Sequence, residues 1–405
     1  MSHSLKIATI LPYKENYTFL KAQAAAIWVC DFFKFSKFKD NNFIFGNTST
    51  KDFLTKNYIN INISNLKSKL SSTTKEYCRN IIYKIKNENF DIVEIHNRPL
   101  IFNYLKKEIN SKYILYFHND PLSMNGSKTS SERLNLFINL DKIIFVSKWV
   151  QDRFFIDLDK KLSDKTEIVY PSIHKVNKIN KKEKKITFVG KLNTSKGYDL
   201  YKDSILQILD EFEDWKAYSI GDEDRERPII KHKNHQELGF LKHKDVLRFL
   251  NKSEIAVVPS RWEEPFGRTA MESAAHGCAT ITSQKGGLLE TFDNDLFLKK
   301  LNSNEIFKKI SLLIKNPKKL RAYQKKNFDN PIHLIKNLVS FLDSVKINMY
   351  EKNININKTI GPKILHISNF NEKNNQRLFN ISIASKLTNG FIRNKSDVIN
   401  FSYRN

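Results

Sequence analysis

Cysteine is scarce in this sequence: Cys30, Cys78 and Cys278 are scattered through 405 residues and odd in number. No Cys-x-x-Cys pair occurs, which excludes the common zinc and dithiol patterns, and a reducing, cytoplasmic compartment is expected. Long apolar runs are lacking too. None reaches the ~18 residues of a membrane span, and the chain enters Leu5–Leu11 without a signal-peptide pattern. Neither secretion by that route nor an integral membrane protein is expected. Also absent are a Walker A loop, a G-x-G-x-x-G fingerprint, zinc-finger spacing, an RRM signature and a basic heptad segment. No nucleic-acid partner is expected.

Acidic residues are outnumbered, 43 against 68 Lys and Arg, for a net charge of +25. That excess suits an anionic partner or membrane face, and equally a lysine-rich composition. The stretch Phe32–Lys39 interleaves phenylalanine with lysine, which fits either peripheral contact with an anionic membrane, on the inner face of the plasma membrane, or a helix packing its rings inward. With 40% hydrophobic residues the chain can build two or three cored domains.

What is present centres on one strand-loop-helix unit. The β-branched run Ile255–Val258 leads through Pro259-Ser260 to Glu264-Pro265-Phe266-Gly267, and the Ala-rich stretch Thr269 to Gly277 reads as a helix stopped by glycine. A loop ending at a helix N-terminus favours a phosphate. Glu264 and Glu272 stand eight residues apart, roughly 12 Å along a helix at about 1.5 Å per residue. They are placed to hold opposite ends of one long ligand rather than to act as an acid/base couple.

Around that unit the chain alternates strands and helices, as a parallel α/β sheet does. Strands are expected at 5–11, 43–45, 59–63, 90–95, 113–117 and 141–147, with helices at 19–38 and 73–87. Three successive strands end in polar clusters, His96-Asn97-Arg98, His118-Asn119-Asp120 and Ser147, where open α/β sheets bind ligands. The lysine-rich run 175–185 reads as an interdomain linker. A second α/β domain opens at Ile186–Val189, followed by a turn, Gly190-Lys191 to Lys196-Gly197, whose lysines suit a diphosphate.

Taken in order, His118, Gly190-Lys191 with Lys196-Gly197, Gly221-Asp222, Gly239-Phe240-Leu241, Pro259-Ser260, Glu264 to Glu272, and Gly286-Gly287-Leu288 with Glu290 resemble the motif series of retaining glycosyltransferases of family 4. The resemblance covers about residues 5 to 345. It implies the GT-B fold, two Rossmann-like doubly wound parallel-sheet domains facing a cleft. It implies transfer of a hexose or N-acetylhexosamine from a nucleotide-sugar donor, a UDP-sugar ahead of a GDP-sugar, to a surface-glycan or lipid-linked acceptor. Glu264 and His118 would be catalytic. The donor would be bound by Gly190, Lys191, Lys196, Gly239, Phe240, Leu241, Phe266, Gly267, Arg268 and Glu272, and His96, Asn97, Arg98 and Asp120 would face the acceptor. No metal or other cofactor is implied, and Asp157-Leu158-Asp159 lies outside a strand-end context. The chain departs from the family where glycines are usual in the first β-α turn: it has Lys21 to Ala26 there, Lys191 in place of arginine, and Leu289 in place of proline.

The expected domains are an acceptor-side domain over 1–173, a linker over 174–185, a donor-side domain with a returning helix (from Asn330-Pro331 to Lys346) over 186–348, a linker over 349–362, and a β-α-β extension over 363–405. That extension, with strands near 362–369 and 398–401 and a helix over 376–389, is too small for its own core. It would either pack on what precedes it or begin a further domain. Competing readings are a phosphorylase or sugar-phosphate synthase on the same fold, and a non-catalytic basic module for membrane or nucleic acid.

Overall fold

The computed structural model describes residues 5–19, 21–63, 72–159, 164–223, 228–293, 295–356, 364–368 and 398–402. The first sheet has seven strands: β1 (Ile7–Ile10), β2 (Asn42–Gly46), β3 (Tyr58–Asn60), β4 (Ile92–His96), β5 (Lys112–Phe117), β6 (Lys142–Phe145) and β7 (Thr166–Ile168). Their order is β3-β2-β1-β4-β5-β6-β7 and every pairing is parallel. The second sheet is built from β8 (Glu183–Val189), β9 (Lys216–Ile220), β10 (His235–Glu237), β11 (Ser253–Val258) and β12 (Ala279–Thr282), ordered β10-β9-β8-β11-β12 and again all parallel. This is the pair of doubly wound sheets that the resemblance implies. Strand order reverses beside the first strand of each, at β1/β4 and at β8/β11, and the crevice at such a reversal is where open α/β sheets bind ligands.

Helices cover the sheets: α1 (Ala24–Phe35), α2 (Thr73–Ile85), α3 (Pro99–Leu105), α4 (Ser130–Asn139), α5 (Lys148–Phe154), α6 (Tyr198–Glu211), α7 (His243–Lys252), α8 (Arg268–Ala275), α9 (Ser303–Lys315), α10 (Pro317–Asp329) and α11 (Ile335–Ile356). Strands buried on both faces need unbroken apolar runs, and Ile92, Val93, Ile95, Ile114 and Leu115 are all sealed from solvent. Phe266, Met271 and Ala275, from the Glu264 loop and α8, belong to the hydrophobic cluster of the first sheet. The loop that carries Glu264 is therefore anchored on the opposing domain.

Several element boundaries differ from expectation. The helix expected over 19–38 is confined to α1, because Thr18 bridges Phe53 and the Glu15 carboxylate accepts the Ala26 N–H at 3.0 Å, fixing the entry. Within the Phe32–Lys39 run Phe32, Phe33 and Phe38 are buried and only Phe35, 42% exposed, stands out. Its rings serve the core. The strand expected over 59–63 ends at Asn60, and β8 begins at Glu183, so Lys184 and Lys185 belong to a strand, not to a linker. Lys185 is accommodated by lying over the Tyr218 and Phe249 rings.

The returning helix begins at Ile335, later than expected, and runs on to Ile356 through residues expected to be a linker. It docks on the first domain through Asp343, which accepts from Ser36 Oγ at 2.8 Å and Lys37 N at 2.9 Å. The chain divides into two compact units, 1–343 and 344–405. In the second, β13 (Ile364–Ser368) and β14 (Val398–Ser402) pair in parallel, and the helix expected at 376–389 lies outside the described residues. Among the described residues no helix is long and apolar enough to cross a membrane.

Candidate functional site

At the β8/β11 reversal, Gly190 follows β8 and Pro259-Ser260 follow β11. The turn Asn193 to Gly197 closes with Gly197 in the left-handed region (φ 73°), its α-carbon so near the chain that a Cβ would sit 2.0 Å from the Pro259 carbonyl oxygen. Only glycine allows that approach. It brings Lys196 Nζ to 2.6 Å from Glu264 Oε1, while Ser260 Oγ donates to the same oxygen at 3.0 Å. The Glu264 backbone is held in turn by Gly286, whose Cβ would lie 2.1 Å from the Glu264 carbonyl oxygen, and by the Gly287 N–H, which donates to that oxygen at 2.7 Å. The Gly-Gly turn thus works as a brace for Glu264.

Downstream, α8 starts at Arg268 behind Gly267 (φ 100°) with no side-chain cap, leaving a helix N-terminus open to an anion. Glu272 is one turn further on. Its Oε1 receives Arg268 Nη2 at 3.0 Å, Arg268 Nε at 3.2 Å and the His243 ring at 2.9 Å. Burial pushes this carboxyl up, but Arg268 and His243 outweigh it and hold its pKa at about 2. For His243 burial acts downward, and the facing carboxylate raises it overall. From the first domain, Asp31 of α1 stands 3.8 Å from Arg268 Nη2.

Opposite, His118 follows β5. One of its ring nitrogens pairs with the His96 ring at 2.9 Å, and its N–H donates to Asn97 Oδ1 at 3.2 Å. Burial, with His96 and Arg268 adding to it, lowers the His118 pKa well below the usual imidazole range, so the ring is neutral. His96 stacks on Tyr116 (4.3 Å, 8°), and Trp28 of α1 packs against all three rings.

Two cavities join these pieces. One of about 230 Å³ is shared by Trp28, His118, Asn119, Gly190, Lys196, Ser260, Glu264 and the 265–269 segment. The other, about 650 Å³, is walled by Phe240, Leu241, His243, Arg268 and Glu272 with Asp31 and Lys34 across from them. Of the residues expected to bind donor, Gly190, Lys196, Phe240, Leu241, Phe266, Gly267, Arg268 and Glu272 line one or both. Gly239 stands just behind, its carbonyl accepting the Gly221 N–H at 2.9 Å. Lys191 is exposed and lines neither cavity.

The acceptor-side set is placed differently. His96 is fully buried behind His118, and Arg98 starts α3 with its guanidinium over the Tyr13 ring. Asp120 is taken by Arg153 at 2.8 Å and caps a short turn through the Leu122 N–H. Neither these three nor Asn97 lines the cavities. Sequence reasoning missed Trp28, Asp31 and His243, which carry no motif, whereas Asn119 stands in the strand-end cluster expected after His118. No group of His, Cys, Asp and Glu among the described residues could hold a metal ion.

Residues 169–329 match the family model described as Glycosyl transferases group 1. "Putative glycosyltransferase YtcC" of Bacillus subtilis (strain 168) is 25% identical over 247 residues, 53% of this chain and 60% of that protein. "Spore coat protein SA" of the same organism is 27% identical over 244 residues, 52% of this chain and 64% of its own. The matches thus span less than two thirds of either relative. Among solved structures, sucrose-phosphate synthase from Thermosynechococcus elongatus superposes with a TM-score of 0.69 at 14% identity, covering 86% of this chain and all of that one. Anabaena Alr3699/HepE in complex with UDP-glucose gives 0.67 at 13% identity, covering 85% of this chain and all of that one. The fold is GT-B.

Proposed function

We propose that this chain is a retaining glycosyltransferase of family 4 that moves a hexose or N-acetylhexosamine from a nucleotide sugar to a glycan or lipid-linked acceptor. The observation that carries the reading is the Lys196–Glu264–Ser260 cluster, set at the sheet reversal beside an uncapped helix N-terminus and sharing one cavity with His118. When the donor breaks, negative charge grows on the leaving diphosphate. Lys196 and the first N–H groups of α8 are in place to stabilise it, and one such group is worth roughly 3–4 kcal/mol.

Glu264 would accept hydroxyls of the transferred sugar, and neutral His118 would approach the same sugar from the other domain. Among the described contacts, all those to the Glu272 carboxylate fall on Oε1, so Oε2 would be the atom for the ribose hydroxyls. The larger cavity, bordered by Phe240 and Leu241, would take the base. A UDP-sugar is placed first because a neighbour of the same fold was solved with UDP-glucose. Retention needs no protein nucleophile if a leaving phosphate oxygen takes the acceptor proton. The test is incubation with UDP- and GDP-sugars: donor binding with slow donor hydrolysis is expected, and the absence of both overturns the reading. Product analysis with a sugar phosphate or inorganic phosphate as acceptor separates a synthase or phosphorylase.

A further inference from the structure

The largest unassigned charge concentration lies in the second domain, away from the cleft. From Lys308 to Lys326 the sequence carries Lys308, Lys309, Lys315, Lys318, Lys319, Arg321, Lys325 and Lys326 and no acidic residue at all. Neighbouring acids meet some of these, since Glu305 faces Lys309, Glu211 faces Lys315, and Asp293 and Asp295 face Lys326. Lys318, Arg321 and Lys325 are exposed and lie at i, i+3 and i+7 of α10, on the side away from its buried Leu320, Gln324 and Asn327. Among the described residues no ion pair engages them.

This stripe continues into a cavity of about 740 Å³ with a cationic rim and an apolar floor. Lys181, Lys184, Lys315 and Arg321 stand around it, and Trp215 and Leu320 are part of its base. Its two acids are Asp214, already paired with Lys184, and Glu254. The position is informative. Lys184 and Glu254 sit at the amino ends of β8 and β11, whereas Gly190 and Ser260 follow their carboxyl ends. At about 3.3 Å per strand residue the patch lies roughly 20 Å from the donor site, on the opposite edge of the sheet.

We infer that this face, the α10 stripe with the cavity rim, is a docking surface for an anionic lipid bilayer. Charge complementarity points to this occupant: a helix presenting clustered cations with no intervening acid is drawn to an anionic membrane, and the attraction fades with salt. An edge opposite the cleft leaves the donor site open to soluble substrate while the protein is docked. The inference does not depend on the transferase reading.

The experiment is co-sedimentation of the full chain with phosphatidylcholine vesicles, with and without phosphatidylglycerol. Binding to the anionic vesicles alone, released by added salt, is expected. The K318E/R321E/K325E variant should bind at least about tenfold more weakly, with an unchanged melting temperature and unchanged donor binding. A charge-matched control on the first domain, K84E/K86E/K107E, should bind as the parent does. The inference is overturned if the parent ignores anionic vesicles, if the α10 variant binds undiminished, or if the control loses as much, which would assign binding to net charge. Loss of duplex-DNA binding in the α10 variant without vesicle binding by the parent would assign the face to a polyanion and equally overturn it.

Discussion

Lys196 Nζ lies 2.6 Å from Glu264 Oε1, across 68 residues of chain, and the contact joins the turn after β8 to the loop after β11. Without ligand the two charges satisfy each other. On the proposed reading a bound donor would divide them, its diphosphate drawing the ammonium and its sugar hydroxyls the carboxylate. Lys196→Ala is therefore expected to lower kcat by about 10²–10³-fold, the usual cost of one charge-stabilising group, and steady-state kinetics with excess donor measures it.

The brace behind Glu264 gives a second expectation. Gly286 has φ 61° and no room for a Cβ against the Glu264 carbonyl. Gly286→Ala should cost about 1–3 kcal/mol of stability, the range for a forced backbone conformation, and should weaken donor affinity by displacing Glu264. Urea unfolding and donor titration read the two effects separately.

A third concerns the seam between the domains. Glu290 accepts from the Lys148 N–H at 2.6 Å and the Trp149 N–H at 2.9 Å, closing the N-terminus of α5 from the other domain, while Ser147 Oγ donates to the Pro265 carbonyl at 2.5 Å. Glu290→Ala removes a cap and should destabilise by roughly 1–2 kcal/mol, with Glu290→Gln recovering part of the loss in urea unfolding.

pH gives a fourth. Glu272 has its pKa held near 2, below the ordinary 4.5, so the unfolded chain binds this proton first as pH falls. The stability from the Glu272–Arg268–His243 cluster is present above pH 4.5 and lost between about 4.5 and 2, roughly 3 kcal/mol in full. Glu272→Gln should flatten that acid limb of stability measured against pH.

The architecture was legible because its carriers are local: β-branched runs fix buried strands, and Gly190, Gly197, Gly267 and Gly286 fall where the backbone needs positive φ. Lys196, Glu264 and Glu272 were legible for the same reason, each lying within a few residues of such a turn. Trp28, Asp31 and His243 were not, because they reach the site by long-range packing with no sequence period, Trp28 and Asp31 on α1 from across the cleft and His243 on α7 beside Glu272 within the second domain. A strand-end position does not reveal which way a side chain is held: His118 pairs with His96 and Arg153 with Asp120, and neither held residue lines the two cavities. The boundary of β8 was missed because Lys185 lies over aromatic rings, so a charged run could still be strand.

The central claim is that a nucleotide sugar binds across Lys196, Glu264 and Glu272. Isothermal titration with UDP-glucose, UDP-N-acetylglucosamine and GDP-mannose, on the parent and on Glu264→Gln, tests it most directly. Saturable binding of at least one of these by the parent is expected, with a substantially weaker enthalpy and affinity for that same ligand in the variant. No binding of any nucleotide sugar by the parent, or binding that Glu264→Gln leaves unchanged, would contradict it.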